Sequence, residues 1–166
     1  MKLLVVVRHA KASWPNAMCN DYERPLKKTG IQDAKQISQY LNLKKYIPDY
    51  IISSAATRTI ETANIFSKEL TNLKLAPKKD ALMYGASPKQ LLELISQIND
   101  DYNAVMIVGH NPTITSLINI VSDASIDHIP TSGTSVIKFN VPSWKNLVNT
   151  EGTLIEFIYP KKLKLL

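Results

Sequence analysis

Leu3-Leu4-Val5-Val6-Val7-Arg8-His9-Ala10 is the stretch that decides the fold. Five apolar residues in a row, three of them valine, read as a strand buried on both faces, the mark of a parallel sheet. With Met1-Lys2 in front, the run imitates a secretory leader. It is too short for one, and Arg8 ends it, so it reads as the first strand. Ala104–Val108 is a second run of the same kind. Tyr50–Ile52, opened by Pro48-Asp49, is a third.

Helical patterns lie between these runs. Ile31, Ala34, Ile37 and Leu41 recur at helical spacing after Gly30, and Ile60, Ala63, Ile65 and Phe66 do so again. Ser87-Pro88-Lys89-Gln90 predicts a helix start with a capping box, followed by an apolar stripe of Leu91, Leu92, Leu94, Ile95 and Ile98. Gly109-His110-Asn111-Pro112 predicts another start, with Asn111 as N-cap and Pro112 as first helical residue. Leu75–Leu82 reads as a weak extended segment, and late strands are expected around Ser135–Phe139 and Leu154–Tyr159. Strand–helix alternation makes this a single-domain α/β sandwich of three layers, with a mostly parallel central sheet and helices on both faces. The domain is expected over residues 1–160, and 161–166 as a short, solvated basic tail.

The chain has 166 residues, 45% apolar and 20% charged, which suits one globular domain. No apolar run nears the roughly 18 residues that span a bilayer, so no membrane partner is expected. A single cysteine, Cys19, allows no internal disulfide and fits a reducing cytoplasm. The net charge of +6 is uneven. Residues 1–83 hold 14 Lys and Arg against seven Asp and Glu, whereas 84–166 hold six against seven. Such a field favours an anionic partner. No interleaved aromatics or nucleic-acid motif accompany it, so nucleic acid is not expected.

Ligands of open α/β sheets bind beyond the carboxyl ends of the parallel strands. Arg8-His9, Ser53-Ser54 with Arg58 one turn on, and His110 all follow strand ends. Two guanidiniums suit planar recognition of a phosphoryl group. An imidazole can attack as a covalent nucleophile, and a second can donate to phosphoryl oxygens. Taken singly, these residues have plainer readings. Arg58 can pair with Glu61, and His110 can be a core histidine. His128 reads as a loop residue. Other chemistries lack their motifs. Cys19 and Arg24 have four residues between them where a tyrosine-phosphatase loop needs five. There is no Gly-x-Ser-x-Gly elbow, no phosphate-binding P-loop and no zinc-ligand spacing.

Four motifs in order carry a resemblance. They are Arg8-His9-Ala10-Lys11; Asp21, Arg24-Pro25-Leu26, Gly30 and Asp33-Ala34; Ser53-Ser54-Ala55-Ala56-Thr57-Arg58-Thr59 with Glu61-Thr62-Ala63; and Gly109-His110-Asn111-Pro112. Over roughly residues 3–121 the chain resembles the histidine phosphatase superfamily, of phosphoglycerate-mutase-like fold, and within it the SixA-type phosphohistidine phosphatases. The resemblance implies that His9 becomes phosphorylated, that Arg8, Arg58 and His110 hold the phosphoryl group, and that water releases it. It implies no metal or organic cofactor. The expected substrate is a phosphorylated protein or a small phosphorylated molecule, and a monomer is expected. The alternatives are a phosphatase of small phosphate esters and a silent anion-binding module. Two departures stand out. The signature glycine is Ala10, and no acidic residue lies between Asp80 and Glu93, where Tyr84 stands instead of the usual general acid. Asp21 is the candidate substitute acid, or else a structural turn with Arg24. Thr131-Ser132-Gly133 is a candidate loop near the site.

Overall fold

Alternating apolar runs and amphipathic helices assemble one six-stranded sheet of order β3-β2-β4-β1-β5-β6. The computed structural model describes residues 1–70 and 75–166. The strands are β1 (Lys2–Arg8), β2 (Tyr50–Ser54), β3 (Lys78–Asp80), β4 (Ala104–Gly109), β5 (Thr134–Phe139) and β6 (Thr153–Ile158). The helices are α1 (Lys28–Leu43), α2 (Thr57–Leu70), α3 (Pro88–Ser96), α4 (Thr113–Val121) and the single turn α5 (Pro160–Leu163). β1, β2, β3 and β4 run parallel, and β5 and β6 are added antiparallel beside β1. The mostly parallel three-layer sandwich expected from the sequence is the fold observed.

Two cores lie on the two faces because successive strand side chains alternate. Leu4 and Val6 of β1, with Val105 and Ile107 of β4, pack beneath α3 and α4 among Leu91, Ile95, Ile114, Leu117 and Trp144. Val5, Val7, Met106 and Val108 pack on the other face beneath α1 and α2, among Ala34, Ile37, Leu41, Ala63 and Phe66. The continuous apolar runs are strands covered on both sides.

Local signals hold in one place and fail in another. At α3, the Ser87 hydroxyl accepts from Gln90 N–H while the Gln90 side chain accepts from Ser87 N–H, the capping box read from the sequence. At α4, Asn111 does not cap. The helix begins at Thr113, and the Asn111 amide reaches sideways to donate to the Ile129 carbonyl at 2.9 Å. Tertiary pairing with the 128–130 segment outcompetes the local cap. The 161–166 tail is also not wholly solvated. Lys162 Nζ donates to Phe157 O at 2.5 Å, and Leu163 packs against the α1–α2 core, while Leu165 and Leu166 stay exposed. No helix among the described residues is long and apolar enough to cross a membrane.

Gly30 positions the segment that follows His9. A Cβ there would stand 2.3 Å from the Lys11 carbonyl oxygen and 2.9 Å from its nitrogen. Both are backbone atoms, so no side chain can swing aside. The loop leaving β1 therefore lies directly on the first turn of α1. Gly30→Ala should destabilise the fold by about 1–3 kcal/mol through overpacking. Urea unfolding of the two proteins measures this, and an unchanged midpoint would contradict the close approach.

Candidate active site

The site is built where adjacent strands send their helices to opposite faces. β1 leads to α1 on one face and its neighbour β4 leads to α4 on the other, which opens a crevice at their carboxyl ends. Register places Arg8 beside Gly109 and Ser53 beside Val108. His9 N–H donates to Gly109 O at 3.1 Å. The His9 and His110 rings thus stand 5.5 Å apart, centroid to centroid. Arg58 arrives from the first turn of α2. Thr62 ties that turn to β1: it accepts from Ala10 N–H at 3.0 Å and donates to Arg58 O at 2.7 Å. Arg8, His9, Arg58 and His110 are together in one crevice.

Ala10, standing for the signature glycine, costs no backbone strain. Lys45 and Ser132 are the non-glycine residues with positive φ among those described. The Ala10 methyl is buried in the α1–α2 core.

His9 is 9% exposed. Its Nδ1 lies 2.8 Å from the Ala10 carbonyl. A carbonyl only accepts, so the proton sits on Nδ1 and the Nε2 lone pair is free. Burial, above all, pushes the His9 pKa down to about 4, and the charges of Arg58, Arg8 and Arg24 act in the same direction against the Ala10 hydrogen bond. Desolvation outweighs the cationic neighbours as the cause. His110 is pushed down to about 3, first by burial, then by Arg58 and His9. Its Nε2 lies 2.8 Å from Ser54 Oγ. With Ser54 donating, the His110 proton sits on Nδ1.

Arg58 is 6% exposed and does not pair with Glu61. Its Nη1 donates to the Asp21 carbonyl at 2.6 Å and its Nη2 to Asp21 Oδ2 at 3.0 Å. Glu61 instead accepts from Leu26 N–H at 2.8 Å. Arg8 Nη1 donates to Ile129 O at 2.8 Å and lies 3.1 Å from His128 Nε2. Arg8 Nε, Arg58 Nε and His110 Nδ1 are buried and have no hydrogen-bond partner among the described residues. An unmatched buried donor costs about 1–3 kcal/mol. Three on the residues that surround one free imidazole nitrogen fit an anion with several acceptor oxygens.

Asp21 does not qualify as an acid. It accepts from Tyr84 Oη at 2.7 Å, Arg24 Nη1 at 3.1 Å and Arg58 Nη2. Its pKa falls to about 2, with the Tyr84 hydrogen bond the largest cause and the two arginines behind it. The carboxylate carries no proton at neutral pH. Tyr84 is no better, because its bond to Asp21 raises its pKa above the usual phenol value. Asp21 instead buttresses Arg58.

Sequence reasoning put Arg24 beside Asp21, as observed, but read His128 as a plain loop residue and Asn111 as a cap. β5 runs antiparallel to β1, so the segment before it returns to the carboxyl end of β1 and carries His128 with it. The same return brings Ser132 and Gly133 to the site. Arg8 N–H donates to Gly133 O at 3.0 Å, and Ser132 N–H donates to His9 O at 3.2 Å. The strand could be read from its composition; its direction could not.

Comparison with known proteins shows which family shares this fold. Residues 4–83 match the model of the histidine phosphatase superfamily, branch 1. An uncharacterized chloroplastic protein of Arabidopsis thaliana is 31% identical over 157 residues, covering 90% of this chain and 72% of that protein. The structure of a SixA from Agrobacterium tumefaciens, assigned as a phosphohistidine phosphatase, is 28% identical with a TM-score of 0.80, over 96% of this chain and 98% of that one. The fold is shared as well with the protein histidine phosphatase SixA complexed with tungstate, at 18% identity and a TM-score of 0.76, over 97% and 99% of the two chains. The chain belongs to the histidine phosphatase superfamily. Within it the protein is SixA-like, and its general activity is that of a phosphatase.

Both histidines are held below their unfolded pKa of about 6.5, so the unfolded chain binds their protons more readily. Their contribution to stability is complete above about pH 6.5 and is lost as pH falls toward 4. Urea midpoints should therefore drop over that window, and less steeply in His9→Asn. Equal slopes for the two proteins would contradict a buried neutral His9.

Proposed function

We propose that this protein is a phosphatase of phosphohistidine in proteins, working through a covalent intermediate on His9. The observation that carries the reading is the state of Asp21 and Tyr84. Neither group beside the phosphoryl site gives up a proton near neutral pH, since Asp21 has none and Tyr84 holds its own more tightly than a free phenol. An alkoxide leaving group needs that proton in the transition state. The imidazole of phosphohistidine does not, because it can be protonated on its other nitrogen before attack and leave as a neutral ring.

The sequence of steps follows from the hydrogen bonds. The lone pair of His9 Nε2 attacks phosphorus as the bond from phosphorus to the substrate nitrogen breaks, and that electron pair leaves with the substrate imidazole. In this reading Arg8, Arg58 and His110 hold the phosphoryl oxygens, which is supported by the buried nitrogen without a protein partner that each of them carries. Water then attacks phosphorus and the Nε2–P bond breaks. His9 departs as a neutral ring because Nδ1 keeps its proton, hydrogen-bonded to the Ala10 carbonyl, throughout. The water protons pass to phosphate and solvent. Neither half of the cycle requires a separate acid. The segment 84–87 forms no helix over the site, which leaves room for a protein-borne side chain.

Two measurements test the reading. Wild-type protein should release phosphate from a histidine-phosphorylated protein in the presence of chelator, and His9→Ala should not. An acid-labile, alkali-stable phosphoryl label should appear on wild type alone; the same label on His9→Ala would move the nucleophile elsewhere. Second, alkyl phosphate esters should turn over about 10²–10⁴-fold more slowly than phosphohistidine, the usual worth of general acid catalysis. Aryl phosphates should speed up steeply as their leaving-group pKa falls. Alkyl esters handled as fast as phosphohistidine would favour the small-ester alternative.

A further inference from the structure

Large apolar side chains are exposed on two segments that meet beside the site. Trp14, Met18 and Tyr22 on one segment, and Leu82 and Tyr84 on another, are all exposed. The two segments meet where Tyr22 and Tyr84 pack edge to face at 5.0 Å. Tyr84 in turn packs edge-on against His110 at 5.5 Å, so this surface is continuous with the phosphoryl site. Of their outer members, Met18 is 92% and Leu82 80% exposed; neither belongs to a core, though Leu82 also borders the groove between β2 and α3. Single exposed apolar residues are ordinary, but a group of them around one opening marks an interaction surface.

The charge beside this group is one-sided. Segments 11–13 and 24–27 run antiparallel, joined by Ser13 N–H to Pro25 O and Lys27 N–H to Lys11 O, both at 2.8 Å. This wall carries Trp14, with the Arg24 guanidinium 4.3 Å over its ring. Lys11, Lys27 and Lys28 are exposed along it or at its end. Of the acids on this wall, Asp21 is neutralised by Arg24 and Arg58, which leaves Glu23; on the other segment Asp80 accepts from Leu82 N–H.

Resting on the phosphohistidine reading above, we infer that this rim is the docking surface for the protein that carries the phosphohistidine, and that the surface it reads is acidic around an apolar patch. In-line attack from His9 places the leaving group opposite it, on the open side. The body of the carrier must therefore lie over the mouth once its phosphoryl group is in the crevice. Met18 and Leu82 contribute apolar contact, and Lys27 and Lys28 contribute charge. The same charges make the encounter sensitive to salt.

The test compares two substrates. One is a folded acidic protein bearing a single surface phosphohistidine, prepared with phosphoramidate. The other is free phosphohistidine. The variants are M18S/L82S and K27E/K28E. Lys28 opens α1, where an acidic residue suits the helix terminus, so the reversal should not weaken the fold. Each variant should raise KM for the protein about tenfold, while kcat/KM on free phosphohistidine changes less than twofold. Added salt should slow the wild type on the protein more than on the free amino acid. Wild-type rates on both substrates in both variants would overturn the docking surface and leave the phosphatase reading standing. Equal losses on both substrates would also overturn it, since the variants would then have damaged the site itself. Failure of the wild type to release phosphate from either substrate would sink the phosphohistidine reading and the docking surface with it.

Discussion

The parallel register between β1 and β4 is the constraint on which the site depends. Arg8 opposite Gly109, one strand spacing away, brings His9 and His110 side by side as their chains leave the sheet. Because the following helices turn to opposite faces, the strand ends are left uncovered. A slip of one residue would exchange the two faces of β1 and bury Val5 and Val7 where Leu4 and Val6 belong. The apolar alternation that makes two cores therefore also fixes the geometry of the histidines.

Burying basic groups together sets the remaining problem. Two guanidiniums and two imidazoles share one crevice, with His9 and Arg58 buried and Arg8 and His110 half-buried. The imidazoles respond by staying neutral. Arg58 responds by pairing with Asp21, which is held ionised by Tyr84, Arg24 and Arg58 together. Arg8 leans on the Ile129 carbonyl and His128. Arg58 has both outer nitrogens engaged and Arg8 one, and the Nε of each has no partner among the described residues. The result is a rigid set of donors around a neutral imidazole nitrogen, an arrangement suited to a phosphoryl group in transfer.

Much of this could be read from the residues. The doubly buried runs, the capping box at Ser87 and the four residues of the crevice were legible, because each depends on local pattern or on the rule that places ligands at strand ends. The Asn111 cap, the plainer Arg58–Glu61 alternative and full solvation of the tail give way for a common reason. In each, a distant segment offered a better partner than the local one: Ile129 for Asn111, Asp21 for Arg58, and the α1–α2 core for Leu163.

By itself the sequence determined the two-sided sheet and the residues at three strand ends, since hydrophobic periodicity and chain order are properties of the chain alone. The tertiary structure decided the protonation and the supporting contacts. How far the Asp21 pKa falls depends on Tyr84, 63 residues away, and His128 reaches Arg8 across 120 residues because β5 returns antiparallel to β1. Desolvation and charge act through space, so they exist only once the chain has folded.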